Sequence, residues 1–124
     1  MPENEDAKLA EKPRAGVVTC PACDLHVSVA EPNDAVELYR RHANVTGHDV
    51  EWERVAFDAE AESDDAKEAL IELGEDHPDG VALGRLAAAL ADNGVAIGET
   101  LDAVRDLRMS GEIYEPQDDY VLAV

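Results

Sequence analysis

At 124 residues the chain holds one ordinary domain or two very small ones. Aromatic residues make up only 4% of it, so any core is built from small side chains. A unit of fewer than about 60 residues is marginal on such a core without a metal or another staple. The formal charge is -19, from 29 acids against 10 Lys+Arg. No apolar run approaches the roughly 18 residues of a membrane span, which sets a membrane-spanning role aside.

Residues 1–15 are polar and punctuated by proline, and they read as a flexible N-terminal arm. They lack the apolar stretch of a signal peptide, so the expected compartment is the cytoplasm. In a reducing compartment two cysteines serve more naturally as metal ligands than as a disulfide.

Residues 16–57 form the first expected unit. Gly16-Val17-Val18-Thr19 reads as a short strand leading into Cys20, and Cys20-Pro21-Ala22-Cys23 as a tight turn. His26 to Ala30 alternates like a second strand. Pro32 and Asn33 open a helix with Asn33 or Asp34 as its cap. Ala35, Val36 and Tyr39 lie at a spacing that lets them pack on Val27 and Val29. His42 and His48 stand six residues apart. In an unbroken helix that spacing turns them about 240° from one another. Both reach one ion only if the helix ends between them, and Thr46-Gly47 supplies that end. Residues 50–55 then alternate as a third strand.

Two cysteines and two histidines arriving as close pairs are the donor set a tetrahedral zinc ion requires. Cys20, Cys23, His42 and His48 are therefore the expected ligands of one structural zinc per chain. A redox pair is the alternative for the cysteines, but no thioredoxin-like βαβ pattern surrounds them. His26, three residues after Cys23, is either a competing ligand or a strand residue.

The order strand, cysteine pair, strand, helix, histidine pair resembles the two-Cys, two-His zinc finger family over residues 20–48. The resemblance implies a ββα-type finger with the same four ligands. Eighteen residues separate Cys23 from His42, where such fingers typically have about twelve, and the strand at 50–55 is an addition. The stretch 39–52 looks like small haloarchaeal finger proteins rather than tandem DNA-reading fingers.

Residues 58–63 contain no large apolar group and read as a linker. Residues 64–124 form the second unit. Ser63 is the expected cap of a helix with the apolar stripe Ala66, Ala69, Leu70 and Leu73. Leu83, Leu86, Ala87 and Leu90 mark a second helix, and Ile97, Leu101, Val104 and Leu107 a third. Ile113-Tyr114 and residues 120–124 flank a turn at 116–119, which predicts a hairpin. Three helices and a hairpin follow the winged helix-turn-helix order. Residues 64–124 resemble the C-terminal winged helix of the archaeal minichromosome maintenance helicase, most strongly in Leu107, Gly111, Ile113, Tyr114, Glu115 and Pro116. No phosphate-binding GxxxxGK[ST] loop is present, so the motor activity of that family does not carry over. The expected class is thus α+β, a small zinc finger with an added strand followed by a winged helix.

Charge divides unevenly. Residues 1–57 carry eleven acids and six basic residues, a net of -5, and residues 58–124 carry eighteen and four, a net of -14. With three lysines against seven arginines, the composition is similar to that of proteins from a salt-loaded archaeal cytoplasm. There the Debye length is about 3 Å or less and like charges repel little.

No catalytic constellation stands out. Asp64-Asp65 and Asp118-Asp119 fall at a helix start and a turn. Four protein ligands leave a zinc ion no open position for chemistry, so the expectation is no enzyme and no small-molecule substrate. Both resemblances imply a nucleic-acid-associated regulator in transcription or replication. Arg14, Arg40, Arg41 and Arg54 are its expected nucleic-acid contacts, because the outward face of the third helix (Glu99, Asp102, Asp106) repels phosphate. The alternative is an adaptor that binds protein through the second unit, around Met109 and Tyr114.

Overall fold

The computed structural model describes residues 16–124, so the expected arm and its Arg14 lie outside the described residues. Strand β1 (Gly16–Thr19) pairs antiparallel with β2 (His26–Val29). Helix α1 (Pro32–Thr46) follows, and β3 (Glu51–Val55) returns to the other side of β1, giving the sheet order β2-β1-β3. Val18 stands opposite both Val27 and Trp52, which places an apolar rung across all three strands.

The boundaries of α1 follow from its end residues. Pro32 takes the first helical position, where its missing N–H is no loss. The N-cap is Glu31 rather than Asn33 or Asp34, and Asp34, at the third helical position, accepts a hydrogen bond from the Glu31 N–H at 3.1 Å. At the far end Gly47 adopts φ 77°, the left-handed conformation open to glycine, and its N–H donates to Ala43 O at 2.8 Å. The helix therefore stops between His42 and His48, as the spacing of the histidines requires.

The second half runs α2 (Ala66–Gly74), β4 (Val81–Ala82), α3 (Leu83–Asp92), α4 (Ile97–Met109), β5 (Ile113–Gln117) and β6 (Tyr120–Ala123). Its strands form a second antiparallel sheet in the order β4-β6-β5. With four helices and two small antiparallel sheets among the described residues, the α+β class holds. The apolar stripes of α2 and α3 are buried. In α4, Ile97 and Val104 are buried while Leu101 and Leu107 are only partly covered. Strand β4 was not expected, because two residues are too few to show a period. The cap of α2 is Asp65, whose carboxylate accepts from Glu68 N–H at 3.1 Å; Ser63 instead accepts from Asp65 N–H.

The segment read as a linker packs against the body. Ala59 is buried with the main apolar cluster, and Phe57 and Ala61 lean on it. Asn93 fastens the strap, donating to Ala61 O at 2.8 Å and Ser63 O at 2.9 Å. The two halves share their interior as well. Val36 of α1 belongs to the cluster of the second half, and Ala87 and Ile97 belong to that of the first. A methyl group on Gly84 would stand 1.8 Å from Pro32 O, so the starts of α1 and α3 meet backbone to backbone.

Candidate metal centre and the clamp beside it

Local structure delivers the four ligands from three directions. Strand β1 ends at Cys20, whose N–H donates to Leu25 O at 3.2 Å, while Cys23 N–H donates to Cys20 O at 3.3 Å. This tight loop points both thiols to one side. His42 comes from the last turns of α1. Thr46 then accepts from His48 N–H at 3.0 Å and donates to His42 O at 2.7 Å, tying the two histidine backbones together across the helix end.

The donor atoms of Cys20, Cys23, His42 and His48 all lie within 4.8 Å of one another. Cys20 Sγ is 3.7 Å from His48 Nδ1, and Cys23 Sγ is 3.5 Å from His42 Nε2. Zinc–sulfur and zinc–nitrogen bonds of about 2.3 and 2.0 Å at tetrahedral angles put such atoms about 3.6 Å apart. The separations and the donor chemistry therefore fit one zinc ion, held through Nε2 of one histidine and Nδ1 of the other. Cys20 is buried and Cys23 exposed. Burial pushes the Cys20 thiol up from its ordinary value, and a bound divalent cation opposes that by favouring the thiolate. His26 is not part of the cluster; it is exposed and lies 3.4 Å from Glu53. Four protein donors complete a tetrahedral shell, which is the arrangement of structural rather than catalytic sites.

Beside the centre, the residue after His48 reaches the second half. The Asp49 carboxylate oxygen and the Tyr39 hydroxyl both crowd Gly98 at the start of α4. Burial raises the Asp49 carboxyl above its usual range, the backbone N–H of Val50 pulls it down, and Glu51 and Glu99 push it up again. Burial also raises Tyr39, with Asp49 and Asp102 adding to the effect.

A second connection was not visible in the sequence. Asp119, in the turn between β5 and β6, is the one non-glycine described residue with positive φ, at 63°. Both of its carboxylate oxygens meet the Arg40 guanidinium, at 3.2 and 3.1 Å. Its carbonyl accepts from Asn33 Nδ2 at 3.0 Å and Leu83 N–H at 2.9 Å, and Asn33 Oδ1 accepts from Gly84 N–H at 2.7 Å. The hairpin turn is thereby clamped to the zinc-bearing helix. Asn33 and Asp119 lie 86 positions apart, and no local pattern links them.

The remaining expected site residues fall in different places. Arg41 and Arg54 are exposed and make no ion pair among the described residues. Other cations are engaged: Lys67 with Glu112, Arg105 with Asp102 and Asp106, and Arg108 with Glu115. Arg85 lies over the Phe57 ring, 5.2 Å from its centroid, and also donates to Asp58 O. Met109 and Tyr114 are exposed.

The fold and site define a small α+β protein with a two-Cys, two-His metal centre in its first half. Residues 17–54 match the family model HVO_B0008 N-terminal, and residues 71–121 match the HVO_B0008 C-terminal domain. The chain thus carries, in order, counterparts of both domains of that family. No curated protein and no solved structure matches it.

Proposed function

We propose that the chain is a non-catalytic protein-interaction module, its first half ordered by zinc and its second half a winged helix that does not grip nucleic acid. The observation that carries this reading is the fate of the cations. Arg40, expected on a nucleic-acid surface, is forked onto Asp119. Four more cations are committed to internal partners. Phosphate binding needs outward positive charge. Here the outward side of α4 presents exposed Glu99, Asp102 and Asp106.

The winged-helix reading rests on the order of helices and strands in the second half. Kinship with the helicase module rests on the sequence resemblance over about residues 64–124, strongest between Leu107 and Pro116. The regulator reading draws its support from Arg41 and Arg54, which have no acidic partner among the described residues.

The two readings part in one experiment. Full-length zinc-loaded protein is titrated with duplex and single-stranded DNA at high salt. In parallel it is used as bait for chemical crosslinking at the same salt. The expected result is no saturable DNA binding and a stoichiometric protein complex. Saturable DNA binding that is lost in Arg41→Ala, with no protein complex, overturns the proposal in favour of the regulator.

A further inference from the structure

Strand β3 is the outer strand of its sheet, and no described residue pairs with its free edge. The last turn of α3 and the loop into α4 border the same strand. Two crevices of about 370 and 320 Å³ lie between them, both lined by Trp52 and Ala91. They flank Trp52 as successive compartments along one strand. Consecutive residues of β3 line them, which is how the edge of a strand, rather than one of its faces, borders a groove.

The charge of this groove is one-sided. Asp49, Glu51, Glu53, Glu60 and Asp92 line it, against the single cation Arg54. Among the acids stand Trp52, Phe57, Ala59, Ala88 and Ala91, with Trp52 packed edge to face on Phe57 at 5.6 Å between centroids. The Trp52 indole N–H is buried and has no acceptor among the described residues.

We infer that this groove takes an extended, lysine- or arginine-bearing segment of a partner protein, added as a fourth strand along β3. Strand addition supplies main-chain hydrogen bonds, and alternate side chains enter the compartments on either side. A partner carbonyl satisfies the indole N–H after a small rotation of the ring. The acids select cationic side chains and disfavour acidic ones. This inference rests on the protein-interaction reading above and names the surface and the chemistry of the partner.

Trp52 is the only tryptophan of the chain, so its emission reports the groove directly. The probe is an end-capped peptide of alternating Lys and Val, with a Glu/Val peptide as its counterpart. Full-length zinc-loaded protein is used, at the lowest salt at which it stays folded. The Lys/Val peptide is expected to change Trp52 emission saturably and to slow amide exchange over residues 51–55, whereas the Glu/Val peptide does neither. Ala91→Phe, which fills the groove, weakens binding at least about tenfold. Glu53→Lys, on the exposed strand, does the same without adding bulk. Glu37→Lys, on the exposed side of α1, leaves affinity unchanged.

Equal weakening by Glu37→Lys reduces the effect to general attraction to an acidic protein and overturns the inference. So does the absence of a saturable change at millimolar peptide, or protection of 51–55 in the free protein, which would mean that another part of the same chain fills the groove. A partner complex that crosslinks equally well to wild type and Ala91→Phe refutes the groove while leaving the protein-interaction reading standing.

Discussion

The two halves of this molecule are held together by different means. The second half has a helical interior, with α3 buried on nearly every side and Leu70, Leu86 and Leu90 fully enclosed. The first half has three short strands and one helix, and its buried residues are mostly valine and alanine. Valine and alanine bury little area, each full valine contributing about 1.5 kcal/mol or somewhat more. The metal centre makes up the difference by joining the end of β1 to the end of α1. The contrast shows where a metal is needed: where the elements are mostly short strands and the buried side chains are small.

Removing the metal is the strongest way to break that comparison. Zinc binding contributes several kcal/mol to folding in small units of this kind. Chelation, or Cys23→Ser, is expected to unfold the first half. Because Val36 lies in the core of the second half, the loss should also loosen α3 and the β5–β6 turn. Amide exchange that accelerates only in residues 16–55 would show that the halves are more independent than their shared core implies.

Gly84→Ala comes next. The added methyl has no space against Pro32 O, and forced backbone shifts of this kind cost roughly 1–3 kcal/mol or more. The melting temperature should fall by several degrees with the zinc content unchanged, which separates the junction between the halves from the metal. Salt sharpens the comparison from the other side. The second half carries a net of -14 against -5 for the first, so lowering KCl from molar to tens of millimolar should destabilise the second half first. Residue-resolved exchange in α2 and α4 against α1 reads the order. Exchange that is flat across the series would mean that the charge is compensated locally.

Arg40→Ala is expected to be smaller. The pair is half-exposed, so its loss costs about 1 kcal/mol at most. Its effect should fall on the β5–β6 turn, through Asp119, rather than on the zinc site. The smallest effect is titrimetric. Lys67, through its hydrogen bond and then its charge, together with Ser110, holds the Glu112 carboxyl below its ordinary value of 4.5. A group lowered in the folded state adds stability above its unfolded value and loses it as pH falls below that value. A slight loss of stability below about pH 4.5, smaller in Lys67→Met, is the expected sign.

Much of this architecture was legible from local pattern. The four metal ligands followed from spacing plus one glycine, since His42 and His48 can converge only across a helix end. The three apolar stripes of the second half followed from the helical period. What local pattern did not show was how the halves meet. Asn33 reads as a helix cap because asparagine commonly caps, yet its amide bridges Asp119 and Gly84. Arg40 reads as outward charge because it lies on the polar side of a helix, yet a turn nearly eighty residues later supplies its carboxylate. The strap at 58–63 reads as a linker because its apolar groups are small, and small groups are what a close junction admits. Long-range polar contacts carry no period, so the sequence alone is silent about them.

The contact between Gly84 and the start of α1 bears on how such a chain can change over generations. Two domains joined by a free tether can be shuffled, duplicated or lost separately. Here a single missing side chain lets one half seat on the other, and the matching partner is main chain, present whatever residue stands there. Recombination that handed on either half alone would expose buried alanines and valines and orphan the Asp119 carboxylate. The two segments are therefore expected to travel together through descent, in one order and with position 84 confined to glycine.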